Sequence, residues 1–219
     1  MAGHGRRSGL QNFLPQRAFE QHAERNADAI GVALERYLPD NGNLLEVASG
    51  TGQHAVTFAP RFPGLTWLTS DPWPVSRESI NAWLIHTSIK NAKSPRDLDV
   101  TTPDWETGLP RPIVAIYASN LLHITPWDVT LGLFRGSAAV LEPDAPLCIY
   151  GCFKRCGRHL SDANVEFDTN IRGENPQWGV RDLEAVDEAA AEAGLALADV
   201  VDMPRDNLML VLRRSAAGA

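Results

Sequence analysis

Two glycines stand where a short apolar segment gives way to a helical pattern, and such a junction can hold a ligand. Gly50 and Gly52 follow a buried strand predicted at 43–48 and precede a helix predicted to end near Pro60. Glycine permits a tight turn and lets a ligand approach the backbone closely, and the first amides of a helix can bind a carboxylate or a phosphate. With Ala55 the glycines also fit G-x-G-x-x-[GA], so this segment alone is compatible with a dinucleotide.

Three carboxylates occur at or near the predicted ends of neighbouring strands. Asp71 ends the second strand, about twenty residues beyond the glycines, where an acid accepts hydrogen bonds from the ribose hydroxyls that NAD and S-adenosylmethionine both carry. Glu46 precedes the glycines, where the ammonium group of the methionine part would lie, and this favours S-adenosylmethionine. Asp99 and Val100 suit the amino group and the ring face of adenine. Simple turn residues at Asp71 and Asp99 are the alternative.

Four polar side chains are predicted at the carboxyl ends of the fourth and fifth strands: the catalytic candidates Asn120, His123 and Tyr150, and also Cys152. Methyl transfer needs mainly proximity and alignment, and it needs a base only when the acceptor must lose a proton. His123 titrates in a useful range for a base, and packing at the strand end is the alternative. Asn120 could hold the acceptor or the amino acid part of the cofactor. Arg25 could bind a carboxylate, although a surface arginine needs no such role.

Short apolar segments alternate with helical patterns along the chain, which predicts a parallel sheet with crossover helices. The turn at 202–206 is too short for a helical crossover, so the strands predicted at 195–201 and 207–213 must pair antiparallel. We therefore predict an α/β fold with a Rossmann-like, seven-stranded, mostly parallel sheet, an antiparallel last strand and helices on both faces. This arrangement is typical of methyltransferases and unusual in nicotinamide-binding domains. The other predicted elements are strands at 65–70, ending at 98–100, at 112–119 and at 146–151, and helices at 23–38, 75–91, 126–141 and 180–193.

The sequence suggests one folded domain at 23–214, with an arm at 1–22 that could cover the site and a disordered tail at 215–219. The stretch 153–179 shows no clear periodicity, and long loops of this kind often form lids over a substrate. Its basic residues favour an acidic small substrate, with a solvated charge run as the alternative. Trp178 could close over the substrate or only pack. The basic residues are Lys154, Arg155, Arg158 and His159.

The composition argues against several classes of protein. The chain has 219 residues and a net charge of −7, so it should repel the phosphates of nucleic acids rather than bind them generally. No apolar run approaches the roughly 18 residues of a membrane-spanning helix, and no signal peptide is recognisable. We expect a cytoplasmic monomer or homodimer that acts on a small molecule.

Three cysteines, Cys148, Cys152 and Cys156, are spaced four residues apart. This pattern fits neither a disulfide framework nor the usual zinc spacing. In an extended strand Cys148 and Cys152 would lie about 13 Å apart, too far to share one metal ion. We therefore expect no metal site, and we interpret the cysteines as structural thiols or as part of a substrate pocket.

The order of the motifs resembles the family catalogued as DUF938, which includes methyltransferase-like protein 26. The resemblance extends from about Ala23 to Arg213 and implies a class I S-adenosylmethionine-dependent fold without naming a substrate. Relatives tend to have proline in place of Cys152, which weakens any transfer of substrate from them. The matching motifs are 23–26 (AERN), 46–54 (EVASGTGQH), 70–72 (SDP), 98–101 (LDVT), 119–124 (SNLLHI), 132–136 (GLFRG), 153–155 (FKR), 157–159 (GRH), 178–182 (WGVRD) and 207–208 (NL).

These observations favour a methyltransferase that transfers the methyl group of S-adenosylmethionine in line to a small, acidic molecule. Three alternatives stay open: other chemistry on the same cofactor (cyclisation, decarboxylation or aminocarboxypropyl transfer), a non-enzymatic binding module, and a nicotinamide-dependent oxidoreductase. The residues expected to contact the acceptor are Cys152, Lys154, Arg155, His159 and Trp178. The residues expected to contact the cofactor are Arg25, Glu46, Ser49, Gly50, Gly52, His54, Asp71, Pro72, Asp99, Val100 and Asn120.

Overall fold

The computed structural model describes residues 16–214, so the predictions for 1–15 and for the tail at 215–219 lie outside the described residues. Residues 16–20 have no regular secondary structure. The helices are α1 (Gln21–Leu34), α2 (Gln53–Phe58), α3 (Pro74–Thr87), α4 (Trp127–Val140), α5 (Asp162–Glu174) and α6 (Leu183–Glu192). The strands are β1 (Gly42–Val47), β2 (Leu65–Ser70), β3 (Ala92–Arg96), β4 (Ile113–Ser119), β5 (Pro146–Arg155), β6 (Arg158–His159), β7 (Arg181–Asp182), β8 (Leu195–Met203) and β9 (Asn207–Arg214).

The main sheet has the strand order β3-β2-β1-β4-β5-β9-β8, and the short strands β6 and β7 pair with β5 beside this path. The first five strands of the order are parallel to one another, whereas β9 runs antiparallel to both β5 and β8. The predicted fold class is confirmed, including the antiparallel last strand. The carboxyl ends of β1, β2, β4 and β5 therefore meet at one edge, where open parallel sheets bind ligands.

Two apolar layers cover the two faces of the sheet, and the alternation of side chains along each strand assigns residues to them. In β1, Leu44 packs with Ile30 of α1, whereas Leu45 packs in the layer that contains Phe134 of α4. β4 is buried along most of its length, because it lies in the middle of the sheet with both faces covered. The sheet is therefore a rigid platform for the loops at its carboxyl edge.

The third strand differs from the prediction. β3 ends at Arg96 rather than near 98–100, and it contains Pro95, which an edge strand tolerates because its outer amides need no partner. Beyond it, Asp99 Oδ1 accepts hydrogen bonds from the amide and the hydroxyl of Thr101, at 2.9 and 2.7 Å. The chain at Asp99 is therefore a turn and not the end of a strand.

The prediction that residues 153–179 form an irregular loop is wrong. It contains the end of β5, the strand β6 and the helix α5, which begins after Ser161, whose hydroxyl accepts a 3.4 Å hydrogen bond from the amide of Asn164. The buried positions of α5 are Asn164, Asp168 and Ile171. They have helical spacing, but two of them are polar, so hydrophobic periodicity could not reveal the helix.

Among residues 16–214, no helix is long and apolar enough to cross a membrane.

Candidate functional site

The loop between β1 and α2 turns sharply because three of its residues have a left-handed backbone. Ala48, Gly50 and Gly52 have φ angles of 53°, 56° and 91°. A Cβ atom on Gly52 would lie 2.8 Å from the Cα atom of Ile80 in α3, so this position requires glycine. A Cβ atom on Gly50 would meet nothing within 4 Å, because that glycine borders open space. The two glycines therefore have different functions: one permits close packing, and the other leaves room for a ligand.

That open space is a cavity of about 350 Å³ at the carboxyl edge of the sheet, which we call the first cavity. The chain before α1, the loop after β1, the start of α3 and the end of β4 form its walls. Its lining residues are Ala18, Glu20, His22, Ala23, Glu46, Ala48, Ser49, Gly50, Thr51, His54, Val75, Ser76, Ser79, Ser119, Asn120 and Ile124. The structure thus brings together five of the predicted cofactor residues that belong to 46–54 or follow β4: Glu46, Ser49, Gly50, His54 and Asn120.

Glu46 is a buried carboxyl group in the wall of the first cavity. It is 2% exposed, and its Oε2 accepts a 2.6 Å hydrogen bond from Nε1 of Trp67. Burial raises the pKa of Glu46 to about 8, although the Trp67 donor acts in the opposite direction. The group is therefore mainly protonated at neutral pH in the free protein, and a cation in the cavity would favour its ionisation.

His54 lies beside Glu46 and is held by hydrogen bonds from both sides. Its Nε2 is 3.2 Å from the carbonyl oxygen of Ala23, and its Nδ1 is 3.2 Å from the hydroxyl of Tyr117. Because a carbonyl oxygen only accepts, Nε2 carries the hydrogen and Nδ1 accepts from Tyr117. Burial lowers the pKa of His54 to about 4, so the ring is neutral at physiological pH. The ring fixes the start of α1 against the cavity.

Asp71 does not line the first cavity, but its side chain binds the backbone of the loop that does. Its Oδ2 accepts a 3.0 Å hydrogen bond from the amide of Gly50, and its Oδ1 accepts one of 2.9 Å from the amide of Trp73. Burial raises its pKa above the ordinary value for aspartate, against the effect of these two donors. The neighbouring Pro72 uses its carbonyl oxygen to accept from Arg77. A contact of Asp71 or Pro72 with a cofactor stays a prediction.

Other predicted residues also lie outside the linings of the cavities. Gly52 caps α2 and packs against α3. Asp99 is an exposed turn residue, and the side chain of Val100 is buried in the apolar layer of α4. The side chain of Tyr150 is 2% exposed and packs in the opposite layer, which contains α1. Ligand contacts of these four residues therefore stay predictions, without support from the position of their side chains.

A second cavity of about 450 Å³ adjoins the first one. It lies between α1, α5, the end of β5 and the turn before β9. Its lining includes the predicted residues Arg25, Asn120, His123 and Cys152, so Arg25 is here and not in the first cavity. The complete lining is His22, Arg25, Asn26, Asn120, His123, Ile124, Cys152, Ala163, Asn164, Phe167, Arg205 and Asn207.

The two cavities meet at His22, Asn120 and Ile124, which line both of them. Asn120 has a φ angle of 57°, and its backbone N–H donates a 2.8 Å hydrogen bond to the carbonyl oxygen of Tyr150. This bond joins the ends of β4 and β5 in a conformation that few residues other than glycine adopt. Asn120 is therefore fixed where a group that passes between the cavities must travel.

His123 and Cys152 form a neutral pair in the wall of the second cavity. His123 Nδ1 and Cys152 Sγ are 3.8 Å apart, and the ring of Phe167 packs edge-on against the imidazole with centroids 5.2 Å apart. Burial lowers the pKa of His123 to about 3 and raises that of Cys152 to about 12. The imidazole is therefore uncharged and the thiol is not a thiolate at neutral pH, which makes His123 a weak base and Cys152 a weak nucleophile.

The basic residues predicted for the acceptor have partners elsewhere in the structure. Lys154 and His159 both contact Asp168 Oδ2, at 3.4 and 3.0 Å, and Arg172 contacts Asp168 Oδ1 at 2.9 Å. Burial opposes the ionisation of Asp168, but the amide of Val180 and these basic side chains lower its pKa below the ordinary value. The cluster ties α5 to β5 and β6. It does not line either cavity.

The other two predicted acceptor residues are likewise outside the linings. Arg155 contacts Asp202 at 3.0 Å, and the amide of Trp178 donates to the carbonyl oxygen of Asn175. The structure instead places α5 residues of the same stretch, namely Ala163, Asn164 and Phe167, in the second cavity. An acceptor contact of Arg155 or Trp178 stays a prediction.

Sequence reasoning missed most of the second cavity. Asn26 follows Arg25 in the matched motif, so its signal was present in the sequence. Asn207 and Ser119 likewise belong to matched motifs, at 207–208 and 119–124. Arg205 belongs to a turn whose length was used only to argue strand direction, and His22 carries no signal that separates it from an ordinary surface residue. The other lining residues that were not predicted are Ala18, Glu20, Ala23, Ala48, Thr51, Val75, Ser76, Ser79, Ile124, Ala163, Asn164 and Phe167.

No group of three or more histidine, cysteine, aspartate or glutamate side chains in the described part of the chain is placed to hold a metal ion. Cys148 is buried in the sheet, Cys152 lines the second cavity and Cys156 is exposed. The thiol of Cys156 donates a 3.5 Å hydrogen bond to Oε1 of Glu184.

The sequence matches the family described as "Protein of unknown function (DUF938)" over residues 17–214. The chain belongs to the DUF938 family. This match covers nearly all of the chain, both cavities included, so the resemblance in the motifs is confirmed. The family description assigns no activity.

Solved structures share the fold of this DUF938 protein. An O-methyltransferase family protein from Burkholderia thailandensis is 14% identical with a TM-score of 0.75, and 90% of this chain covers 57% of that one. Human N-acetylserotonin methyltransferase in complex with S-adenosylmethionine is 13% identical with a TM-score of 0.73, and the coverages are 90% and 53%. NcsB1, an O-methyltransferase from neocarzinostatin biosynthesis in complex with S-adenosylmethionine and 2-hydroxy-5-methyl naphthoic acid, is 16% identical with a TM-score of 0.70, and the coverages are 88% and 54%.

These likenesses establish that the chain has the class I methyltransferase fold. The chain spans a little over half of the length of each of these structures. Their extra length lies outside the shared fold, so activities and substrates of the whole proteins are not transferred by it.

Proposed function

We propose that this protein is an S-adenosylmethionine-dependent methyltransferase that acts on a small, acidic molecule. One observation carries the proposal: two adjoining cavities meet at Asn120, one lined by carboxyl groups and the other by guanidinium groups. Among the described lining residues, the first cavity has two carboxyl groups, Glu20 and Glu46, and no lysine or arginine. The second has two arginines, Arg25 and Arg205, and no carboxyl group, in a chain of net charge −7.

The first cavity fits a cationic cofactor better than a dinucleotide. S-adenosylmethionine carries a sulfonium and an ammonium group, and both are stabilised by nearby carboxylates. The pyrophosphate of NAD carries two negative charges and would face Glu20 and Glu46 without a compensating lysine or arginine. Ser119 lines this cavity from the end of β4, and we assign its hydroxyl to a polar group of the cofactor.

Different residues of the cavities bind different parts of the reactants. Glu46 and Ser119 bind the amino acid part of the cofactor, which occupies the open space beside Gly50. The structural neighbours in complex with S-adenosylmethionine support this cofactor by their fold. When bound, S-adenosylmethionine supplies an electrophilic methyl group, which forms a bond to a lone pair of the acceptor while the electron pair of the broken C–S bond returns to sulfur. Asn120 orients the two reactants at the junction, where alignment provides most of the catalysis.

The predicted arm is part of the same proposal. The amide of Ala18 donates a 2.9 Å hydrogen bond to the hydroxyl of Ser79, and the amide of Glu20 donates a 2.6 Å bond to Oε1 of Gln53. Nε1 of Trp83 donates to the carbonyl oxygen of Ala18. These contacts hold residues 18–20 across the first cavity from α2 to α3. We infer that the arm excludes water from the bound cofactor.

The test is a product assay with S-adenosylmethionine that carries a deuterated methyl group and a panel of small organic acids. We expect a methylated acid with the mass shift of the deuterated group, together with S-adenosylhomocysteine. The sulfur-containing product separates the alternatives, because aminocarboxypropyl transfer leaves methylthioadenosine and decarboxylation leaves a decarboxylated cofactor. Either of these products, without a methylated acid, would refute methyl transfer. The control is Glu188→Gln, on the exposed side of α6 and away from both cavities.

A further inference from the structure

The second cavity contains two asparagine side chains whose orientation is fixed by the turn before β9. Nδ2 of Asn164 donates a 3.0 Å hydrogen bond to the carbonyl oxygen of Asp206. Nδ2 of Asn207 is 3.1 Å from the carbonyl oxygen of Pro204 and 3.4 Å from that of Arg205. Since carbonyl oxygens only accept, both amides must turn their NH₂ groups to these carbonyls. The Oδ1 atoms of both side chains are then the polar atoms left for a ligand.

Asn164 is a buried residue that lines the second cavity. It is 7% exposed, and it lies one turn from Asp168 on the buried side of α5. Its Oδ1 accepts no hydrogen bond from any described residue. Because Asn164 lines the second cavity and its NH₂ group is already used, the amide oxygen is available to a ligand. A ligand with an O–H or N–H group in the cavity would satisfy it.

The turn that orients these amides is itself unusual. Arg205 and Asp206 have φ angles of 63° and 55°, two successive left-handed residues without a glycine. Each such residue costs about 1 kcal/mol or more, and strain of this kind is concentrated at functional sites. The turn presents its carbonyl groups to Asn164 and Asn207 and places Arg205 in the lining of the cavity.

Two guanidinium groups give the cavity its charge. Within residues 16–214, neither Arg25 nor Arg205 forms an ion pair with a carboxylate. Both line the second cavity, Arg25 from α1 and Arg205 from the turn before β9. Guanidinium groups are suited to bind an anionic oxygen group such as a carboxylate.

We infer that the acceptor is a small hydroxy acid, whose anionic group binds Arg25 and Arg205 and whose single hydroxyl hydrogen is shared between the amide oxygens of Asn164 and Asn207 in a three-centre hydrogen bond. This inference rests on the proposed function and names the substrate class of the same site. A hydroxyl fits better than an ammonium group, because none of the described lining residues is a carboxylate that could neutralise a buried cation.

The test measures the binding of small acids to the protein saturated with S-adenosylhomocysteine, by ligand-observed NMR titration. The probes are two sets that differ in one group: lactate, propanoate and alanine, and malate, succinate and aspartate. We expect each hydroxy acid to bind about five- to tenfold more tightly than the acid without the hydroxyl, which corresponds to one neutral hydrogen bond. The amino acids should bind more weakly than the hydroxy acids.

Three variants assign the two halves of the interaction. Arg25→Gln and Arg205→Gln should each weaken the hydroxy acid and its unsubstituted counterpart by about tenfold and leave their ratio unchanged. Asn207→Ala should reduce that ratio towards one and leave the binding of the unsubstituted acid unchanged. Arg135→Gln, an exposed arginine of α4 away from both cavities, is the matched control. Thermal melting identifies any variant that fails to fold. If Asn207→Ala fails to fold, the two arginine variants still test the inference.

Two results would overturn the inference while the cofactor site stands. One is that hydroxy acids bind no better than their counterparts, or not at all, to protein that still binds S-adenosylhomocysteine. The other is that the amino acids bind most tightly. A failure of the proposed function is distinguishable, because S-adenosylhomocysteine itself would then not bind or the product assay would yield no methylated acid.

Discussion

Nε1 of Trp67 donates a 2.6 Å hydrogen bond to Oε2 of Glu46, and this bond fixes a buried carboxyl group in the wall of the first cavity. The indole comes from β2 and the carboxyl group from β1, where Trp67 pairs with Leu44, two residues before Glu46. The hydrogen bond keeps the carboxyl group in place although burial favours its protonated form. A cation bound in the cavity would therefore favour the ionised form of Glu46.

Cofactor binding should release a proton from Glu46. Because its pKa is about 8 in the free protein, the group is mainly protonated at pH 7, and a bound ammonium group would favour the ionised form. We expect the binding enthalpy of S-adenosylmethionine at pH 7 to be more exothermic in Tris than in phosphate, since Tris releases more heat on protonation. Glu46→Gln should abolish the difference and weaken binding by about tenfold or more. Equal enthalpies for the wild type in both buffers would contradict this.

The same group should make stability depend on pH. The folded pKa of Glu46, about 8, is above its unfolded value of about 4.5, so between these values the folded protein holds a proton that the unfolded chain has released. Raising the pH through this window therefore favours unfolding. We expect the melting temperature of the wild type to fall relative to that of Glu46→Gln between pH 5 and pH 8. A difference that stays constant over this range would show that Glu46 is ionised in the free protein.

Substitution of the two loop glycines should separate folding from binding. Gly52→Ala should destabilise the protein by about 2 to 4 kcal/mol, because its Cβ would clash with the backbone of Ile80 at a φ of 91°. Gly50→Ala should cost only about 1 kcal/mol but reduce cofactor binding, since its Cβ would project into the open space of the cavity. Chemical denaturation and ligand titration measure the two effects. Gly173→Ala, in α5 with nothing within 4 Å, is the control and should be neutral or stabilising.

Asp168 should be important for stability and not for cofactor binding. It is 6% exposed and contacts Lys154, His159 and Arg172. Asp168→Asn removes its negative charge from these basic groups, and we expect a loss of about 3 kcal/mol in the free energy of unfolding.

Glu166→Gln, on the exposed side of the same helix, should change stability by less than about 0.5 kcal/mol. Urea denaturation of the two variants makes the comparison. If Asp168→Asn unfolds at the same urea concentration as Glu166→Gln, the cluster does not stabilise α5.

The sequence was sufficient to predict the loop that forms one wall of the first cavity, because the signal for that loop is local. Glu46, Gly50 and His54 lie within nine consecutive residues. The glycines indicate that the backbone after the buried strand is left-handed, as it is at Gly50. The direction of β9 also followed from a local fact, the length of the turn before it. The strand order was then limited by general rules of parallel sheets.

The second half of the site could not be predicted in this way. Asn164 and Asn207 are far apart in the chain, and they line the same cavity only because α5 packs against the turn before β9. The basic residues at 154–159 are close together in the sequence, but folding places Lys154 and His159 against one carboxylate. Asp99 shows the same limit, since an aspartate after a strand is equally suited to a ligand and to a turn.

Titration calorimetry with S-adenosylmethionine, S-adenosylhomocysteine and NAD tests the central claim most directly. We predict micromolar binding of the first two ligands, weaker binding in Glu46→Gln, unchanged binding in Glu188→Gln and no binding of NAD. Binding of NAD with no binding of S-adenosylmethionine or S-adenosylhomocysteine would contradict the account.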